Sequence, residues 1–221
     1  NEDLFVDLQA YDSEHAWAYK SDALYTWKGD AWQKTFSPSL LYGSGETITH
    51  LEVLDPEHVW ITTSERHVRE SEESGETDSY LGRIYFFDGE SWTRQYEVDG
   101  KCELLAEDIQ HAWAWAENSI YFFDGQVWSP QYEASTYIDS VETAGLNAWA
   151  IGLPERYSLK NSNLYHFDGS QWLDQGEFDY RIKSLQILDG ENVWAGGFRN
   201  NPNSTSSDHY ESAIFFWDGS S

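Results

Sequence analysis

The chain has 221 residues, a length that suits one domain with a sizeable core. Its 39 acidic and 13 basic residues leave a net charge of −26. That charge disfavours nucleic acid and anionic membranes, whose phosphates are bound by neutralising them. No run of about 18 apolar residues is present, so no membrane-spanning helix is expected. There is no Met, no visible signal peptide and no lipidation motif, and the chain starts at Asn1. It therefore reads as a mature product or a fragment that has lost a targeting segment.

Taken in order, the chain opens on an apolar strand, Asp3 to Leu8, carrying Phe5 and Leu8. His15-Ala16-Trp17-Ala18 reads as a second strand and Leu24-Tyr25-Thr26-Trp27 as a third. The third runs into Lys28-Gly29-Asp30-Ala31, and Trp32 opens a fourth. The next unit repeats this order. Strand A (Ile48 to Leu54) precedes strand B (His58 to Thr62) with its Trp60. Strand C (Arg83 to Phe87) then runs through Asp88-Gly89-Glu90-Ser91 into strand D (Trp92 to Val98). A third copy carries Leu104, Trp113, Ile120-Tyr121-Phe122-Phe123, Asp124-Gly125 and Trp128. A fourth carries Ile138, Val141, Trp149, Leu164-Tyr165-His166-Phe167, Asp168-Gly169 and Trp172. The fifth carries Ile182, Leu185, Trp194, Ile214-Phe215-Phe216-Trp217 and Asp218-Gly219, and stops at Ser221 before its Trp and strand D.

Asp-Gly between two alternating strands is a hairpin signal, because Gly accepts the positive φ that a tight turn demands. The B-strand tryptophans recur at intervals of about 40 residues, the scale of a four-stranded propeller blade. Aromatic residues make up 17% of the chain, and large rings at fixed repeat positions fill the wedge between stacked sheets. No useful stretch has helical periodicity. The expected fold is an all-β propeller of five four-stranded repeats, the last lacking its outer strand. Its repeats cover residues 3–41, 47–99, 101–134, 137–179 and 181–221 of a single domain. Extra length collects between strands B and C, at Ser64 to Gly82, Leu153 to Asn163 and Phe198 to Ser212. These polar segments read as exposed loops on the channel-side face, either a binding surface or neutral decoration. Strand C of the fifth unit, Ala213 to Trp217, becomes an exposed aromatic edge. Such an edge is covered by a continuing chain or a second chain, unless the blade tolerates three strands.

The repeat resembles bacterial propeller repeats of the form Trp-Ala-x-Gly … Ile-Tyr-x-Phe-Asp-Gly-x-x-Trp, distant relatives of Kelch-like and Asp-box propellers. Trp194-Ala195-Gly196-Gly197 and Trp149-Ala150-Ile151-Gly152 carry the first half, and Phe87-Asp88-Gly89-Glu90-Ser91-Trp92 the second. The resemblance spans the whole chain and implies a surface or secreted binding platform or scaffold, more rarely an enzyme. It places Asp88, Asp124, Asp168 and Asp218 as turn residues, together with Gly89, Gly125 and Gly169. An Asp-box usually has a residue between its Asp and Gly, so that match is partial.

For chemistry, Lys20, Arg66, Arg69, Arg156 and Arg199 all follow strand B. Gathered at a propeller mouth, with Tyr157 beside them, they form a candidate anion-binding face. The plainer reading is that they neutralise acids such as Glu65, Glu70 and Glu155. Sialidases pair an Arg cluster with a Tyr nucleophile and a Glu, so Glu155-Arg156-Tyr157 keeps a sialidase-like hydrolase as an alternative. Tyr80, Tyr157, His209 and Tyr210 are candidate sugar-stacking rings. His15, His58 and His111 occupy one A–B turn position in three repeats, and the expected partners are Asp12, Asp55 and Asp108 rather than a shared metal. The run Glu70 to Asp78 offers calcium oxygens without the spacing that preorganises them. No zinc motif, nucleophile elbow or phosphate loop is present, so no catalytic residue, metal or cofactor is assigned. Cys102 is the single cysteine and reads as a small core residue. Asn203-Ser204-Thr205 fits a glycosylation sequon. The expectation is a non-enzymatic, extracellular or cell-surface module that binds protein or glycan. A structural subunit assembling through the fifth-blade edge is the third reading.

Overall fold

The computed structural model describes residues 4–38, 45–71, 75–145, 147–189, 192–200 and 210–218, without the side chains of residues 69–71 and 75–77. The sequon, His209, Gly43-Ser44, Glu72-Glu73-Ser74 and Gly219 to Ser221 lie outside the described residues, as does the Arg69 side chain.

Nearly all the regular structure is strand, in five antiparallel meanders. The first sheet is β1 (Asp7–Ala10), β2 (Ala16–Lys20), β3 (Ala23–Trp27) and β4 (Trp32–Phe36). The second is β5 (Thr47–Asp55), β6 (His58–Ser71), β7 (Gly75–Phe87) and β8 (Trp92–Asp99). The third is β9 (Cys102–Ala106), β10 (Ala112–Ala116), β11 (Ser119–Phe123) and β12 (Trp128–Glu133). The fourth is β13 (Tyr137–Ala144), β14 (Asn147–Leu153), β15 (Asn163–Phe167) and β16 (Trp172–Glu177). The fifth has three strands, β17 (Arg181–Asp189), β18 (Asn192–Asn200) and β19 (Tyr210–Trp217). The chain divides into two compact units. Unit 1 is Asn1–Glu117 with Phe122–Ser129, and unit 2 is Asn118–Tyr121 with Pro130–Ser221.

The repeat residues close the turns as their chemistry requires. Asp88 Oδ1 accepts the backbone N–H groups of Glu90 at 3.0 Å and Ser91 at 2.8 Å, and Gly89 sits at φ 89°. The next rung pairs Phe87 with Trp92, so the hairpin loop is the four residues Asp88 to Ser91. Asp124 and Asp168 make the same pair of bonds. These bonds hold all three carboxyls below the usual aspartate range; at Asp168 the Ser170 hydroxyl contributes most. In the first sheet Lys28 takes the Asp position, and its own N–H bonds the Ala31 carbonyl at 3.0 Å.

The A–B turns use a second device. Asp55 accepts from the backbone of Glu57 and His58 and from His58 Nδ1 at 2.8 Å. Asp12 with His15 and Asp108 with His111 do the same. In the fifth sheet Asn192 replaces the histidine, and its Nδ2 reaches Asp189 at 2.8 Å. The three histidines are thus turn clamps, each tied to its own aspartate.

Trp17, Trp60, Trp113 and Trp149 are buried on the B strands, as are Tyr19 and Trp115, and Cys102 is buried at the start of β9. Burial pushes the Tyr19 hydroxyl up to about 12, and that hydroxyl donates to the Thr49 carbonyl at 2.9 Å. Trp194 holds the same rung, between Gln186 and Phe216, but is 44% exposed. Sequence periodicity sets its position in the ladder; burial needs a neighbouring face.

The segment Ser64 to Gly82 is not the loop its polar composition suggests. The β6–β7 ladder continues unbroken from Val59↔Phe87 to Ser71↔Gly75, forming a long two-stranded ribbon. Backbone pairing needs no apolar side chains, so polar composition alone does not end a strand. Likewise Phe198 to Asn200 and Tyr210 to Ser212 are strand, paired as Arg199↔Glu211 and Asn200↔Tyr210. The insertion after Leu153 does leave the sheet, and it builds the site described next.

Candidate functional site

A cleft of about 800 Å³ in unit 2 is walled by the β14–β15 connection together with Glu177, Asp179, Arg199 and Asn200. The connection turns at Glu155, whose carbonyl accepts the Ser158 N–H at 3.1 Å. Tyr157 holds a left-handed φ of 60° and is 78% exposed. A bulky residue in that conformation is strained, and such strain concentrates at functional positions. The Arg156 guanidinium lies 5.4 Å from the Tyr157 ring centroid and 5.2 Å from that of Tyr137, within cation–π range of both.

A buried arginine holds this loop from beneath. Arg181, the first residue of β17, donates from Nε to the Ser158 carbonyl at 3.0 Å and from Nη2 to Asp139 at 2.9 Å. Its Nη1 donates to the Ile182 carbonyl. Ser162 adds a second clasp by accepting the Ile182 N–H at its hydroxyl and the Phe178 N–H at its carbonyl. The loop is therefore fixed at its base while the Tyr157 ring stands in solvent.

Charge in the cleft is mixed. Lys160 pairs with Glu155 at 3.7 Å. Arg199 binds the Glu211 carboxylate with both Nε and Nη2 and lies 4.8 Å from the Tyr180 ring. The Glu211 pairing keeps the guanidinium more firmly protonated than usual. Glu177 and Asp179 supply the opposing charge on the rim.

Of the candidate residues read from sequence, Arg156, Tyr157 and Arg199 share this cleft. Lys20 and Arg66 belong to unit 1. Lys20 Nζ lies 5.0 Å from the Phe5 ring, and Arg66 pairs with Asp78 at 2.7 Å. Among the sugar-stacking candidates, Tyr80 sits under Lys101 at 4.3 Å, and Tyr210 is edge-on to Phe198. Among the described residues, no group of three or more His, Cys, Asp and Glu side chains is placed to hold a metal ion. A separate cleft of about 480 Å³ in unit 1 is walled by Trp17, Trp27, Phe87 and Trp92, the aromatic residues that build the sheets themselves.

Sequence reading passed over two arginines. One is Arg181. The other is Arg83, which reaches Glu46 at 3.1 Å, Glu65 at 2.8 Å and Glu97 at 3.0 Å. Burial works against its charge, and the three carboxylates more than offset that, holding it above the usual range. Both residues stand beside a strand's apolar run, and nothing local to them signals burial.

No protein-family model and no curated protein matches the chain. Solved structures do. YCF48 from Cyanidioschyzon merolae superposes with a TM-score of 0.55 at 15% identity, over 97% of this chain and 72% of that one. YCF48 bound to D1 peptide gives 0.56 at 14% identity, over 96% and 69%. Pyrococcus horikoshii acylaminoacyl peptidase gives 0.59 at 14% identity, over 97% of this chain and 37% of that one. At such identities the likeness carries the fold alone. The chain is an all-β protein of the β-propeller fold.

Proposed function

We propose that the chain is a non-enzymatic interaction module that binds an extended segment of a partner protein in the cleft around Tyr157. The observation that carries this reading is a strained, exposed Tyr157 held on a loop that buried Arg181 pins in place. Rigid aromatic anchors on a fixed base are what binding hot spots are made of. The mixed charge of the rim suits a peptide backbone with varied side chains better than a single acidic group. The structure of YCF48 with D1 peptide supports a peptide as ligand on this fold. A sialidase-like hydrolysis needs a carboxylate working with the tyrosine. Here Glu155 pairs with Lys160, and Arg199, which an acidic sugar would need, is already paired with Glu211, which favours binding over catalysis. An extracellular or cell-surface setting belongs to the same proposal, supported by the acidic charge and by the repeat resemblance.

The test is selection of a displayed random-peptide library on the purified chain, alongside a glycan array. Peptides that lose at least about tenfold in affinity to Tyr157→Ala and Arg156→Ala variants are the expected result. Glycan binding lost in those variants would reassign the cleft to a sugar. Peptides that bind both variants undiminished would sink the assignment.

A further inference from the structure

In four of the five sheets the B-strand tryptophan carries a ring from the next strand. The centroid separations are 4.4 Å for Phe86 on Trp60, 4.6 Å for Phe122 on Trp113, 4.4 Å for His166 on Trp149 and 4.6 Å for Phe216 on Trp194. In the second and third sheets the turn histidine stacks on that same ring, His58 on Phe86 at 5.9 Å and His111 on Phe122 at 6.1 Å. The first sheet keeps the histidine and the tryptophan, His15 and Trp17, and lacks the ring between strands. Its Trp17 pairs across the ladder with Thr26. The cleft of about 480 Å³ opens at this place, lined by His15, Trp17 and Thr26 and lying wholly within unit 1.

Two more departures from the repeat face the same cleft. The third residue after the strand-opening tryptophan is Gln95, Gln131 and Gln175 in the second, third and fourth sheets, and Thr35 in the first. Thr35 sits in the bulge between β3 and β4, and its hydroxyl meets that of Thr26 at 2.8 Å. The turn aspartate, Asp88, Asp124 or Asp168 in the next three sheets, is replaced by Lys28. Thr26, Thr35 and Lys28 all wall the cleft. Shortening two side chains at one spot gives up packing. Breaks in an otherwise consistent pattern are expected where a site is built.

The walls specify what fits. A place beside an indole and an imidazole, filled by a ring in the sister sheets, suits a planar ring, and Trp27, Phe87 and Trp92 add apolar walls. His15 is tied through Nδ1 to Asp12 at 2.9 Å, so its imidazole is held without a ligand. The volume lies within the roughly 300–1,000 Å³ of small-molecule pockets. Trp17 and Thr26 are buried at the floor, where the two threonine hydroxyls can each donate and accept. A ring hydroxyl matches them, because it also does both. Lys28 opposes Glu14 and Glu90 on the exposed rim, a mixed charge that favours a neutral ligand. We propose that this cleft binds a neutral phenolic ring, supplied by a small molecule or by a tyrosine side chain. The inference stands on the first two sheets and is independent of the Tyr157 cleft.

The experiment titrates the 221-residue protein into para-fluorophenol and, separately, into fluorobenzene, followed by fluorine NMR. The phenol should bind with a Kd of about 1 mM or tighter. Fluorobenzene should bind at least about fivefold more weakly, for want of the hydroxyl. Thr26→Phe, which restores the ring that the other sheets carry, should abolish binding while the melting temperature holds or rises. Thr35→Val should weaken the phenol at least about threefold and leave fluorobenzene unchanged. A glycine peptide bearing one meta-fluorotyrosine separates the sources. Tighter binding than the phenol assigns a tyrosine side chain, and weaker binding a free molecule. No binding of the phenol, equal binding of phenol and fluorobenzene, or binding that survives Thr26→Phe would overturn the proposal. A fluorinated hexose that binds where the phenol does not would assign the cleft to a sugar, overturning it equally.

Discussion

The imidazole of His166 lies flat on the indole of Trp149, their centroids 4.4 Å apart and their planes 17° from parallel. The two residues are partners across the β14–β15 ladder, and Trp60 with Phe86 occupies the same rung of the second sheet. Trp217 closes the histidine edge-on at 5.5 Å, and Nε2 is buried with no hydrogen-bond partner among the described residues. Burial accordingly holds His166 below the usual histidine range, against a weaker pull from Asp168. A phenylalanine position has been filled by a histidine kept neutral.

The consequence for stability has a definite sign. With the folded pKa below the unfolded one, near ~6.5, the unfolded chain binds a proton that the folded chain refuses. This contribution is complete above the unfolded value and is lost as pH falls through that value toward the folded one. His166→Phe keeps the stacking and removes the proton. Thermal melts at pH 7.5 and 5.0 should show the variant gaining on the parent as pH drops. A constant difference between the two would refute the assignment.

Glu46 is expected to be the most sensitive single carboxylate. Its side chain is fully buried, and it accepts from Thr63 Oγ1 and, at 3.1 Å, from the Tyr85 hydroxyl, while facing Arg83. Glu46→Gln removes the buried charge facing Arg83, which keeps Glu65 and Glu97 as partners, so the loss should fall below the about 3–5 kcal/mol of a fully broken buried pair. Glu46→Gln combined with Arg83→Met should recover part of that loss. Urea denaturation of the two single variants and the double variant measures the coupling, and strict additivity would show that the pair does not interact.

Gly89 and Gly169 occupy the same turn position, with φ 89° and 92°. A Cβ on Gly169 meets nothing within 4 Å, whereas one on Gly89 lies 3.2 Å from Glu57 Cβ. Gly169→Ala should therefore cost only the left-handed backbone penalty, about 1–2 kcal/mol. Gly89→Ala should cost measurably more. Equal costs in chemical denaturation would mean that Glu57 yields without strain.

Tyr157→Gly separates the site from the fold. The left-handed φ of 60° is relieved by glycine, and the exposed ring contributes little packing to lose. Stability should hold or rise by up to about 1 kcal/mol, while affinity for peptides selected on the cleft falls at least about tenfold. A variant that melts early would mark Tyr157 as a structural residue.

Strand order and turn positions were legible because local chemistry dictates them. Asp-Gly supplies the positive φ and the side-chain acceptor, and the following Trp opens each new strand, as Phe87↔Trp92 and Phe167↔Trp172 show. The histidine clamps were legible for the same reason, Asp55 and His58 being three residues apart. The ribbon from Ser64 to Gly82 was not, since its ladder is held by backbone bonds that leave no apolar pattern. Of the candidate cleft, the loop carrying Arg156 and Tyr157 could be seen in the sequence. Its support from Arg181 could not, because Ser158 and Asp139 reach that guanidinium from different strands and turns.

Sequence alone determined the number of repeats, the Asp-Gly turns at Asp88, Asp124 and Asp168, and the strand that carries each tryptophan. All of these follow from interactions between residues a few positions apart. Only the tertiary structure decided which repeat positions are covered. Trp60 is buried by Phe123 and Trp128, Trp149 by Trp217, and Trp194 is left exposed at an identical place in its ladder. Burial depends on what the neighbouring sheet presents, and that neighbour lies tens of residues away along the chain.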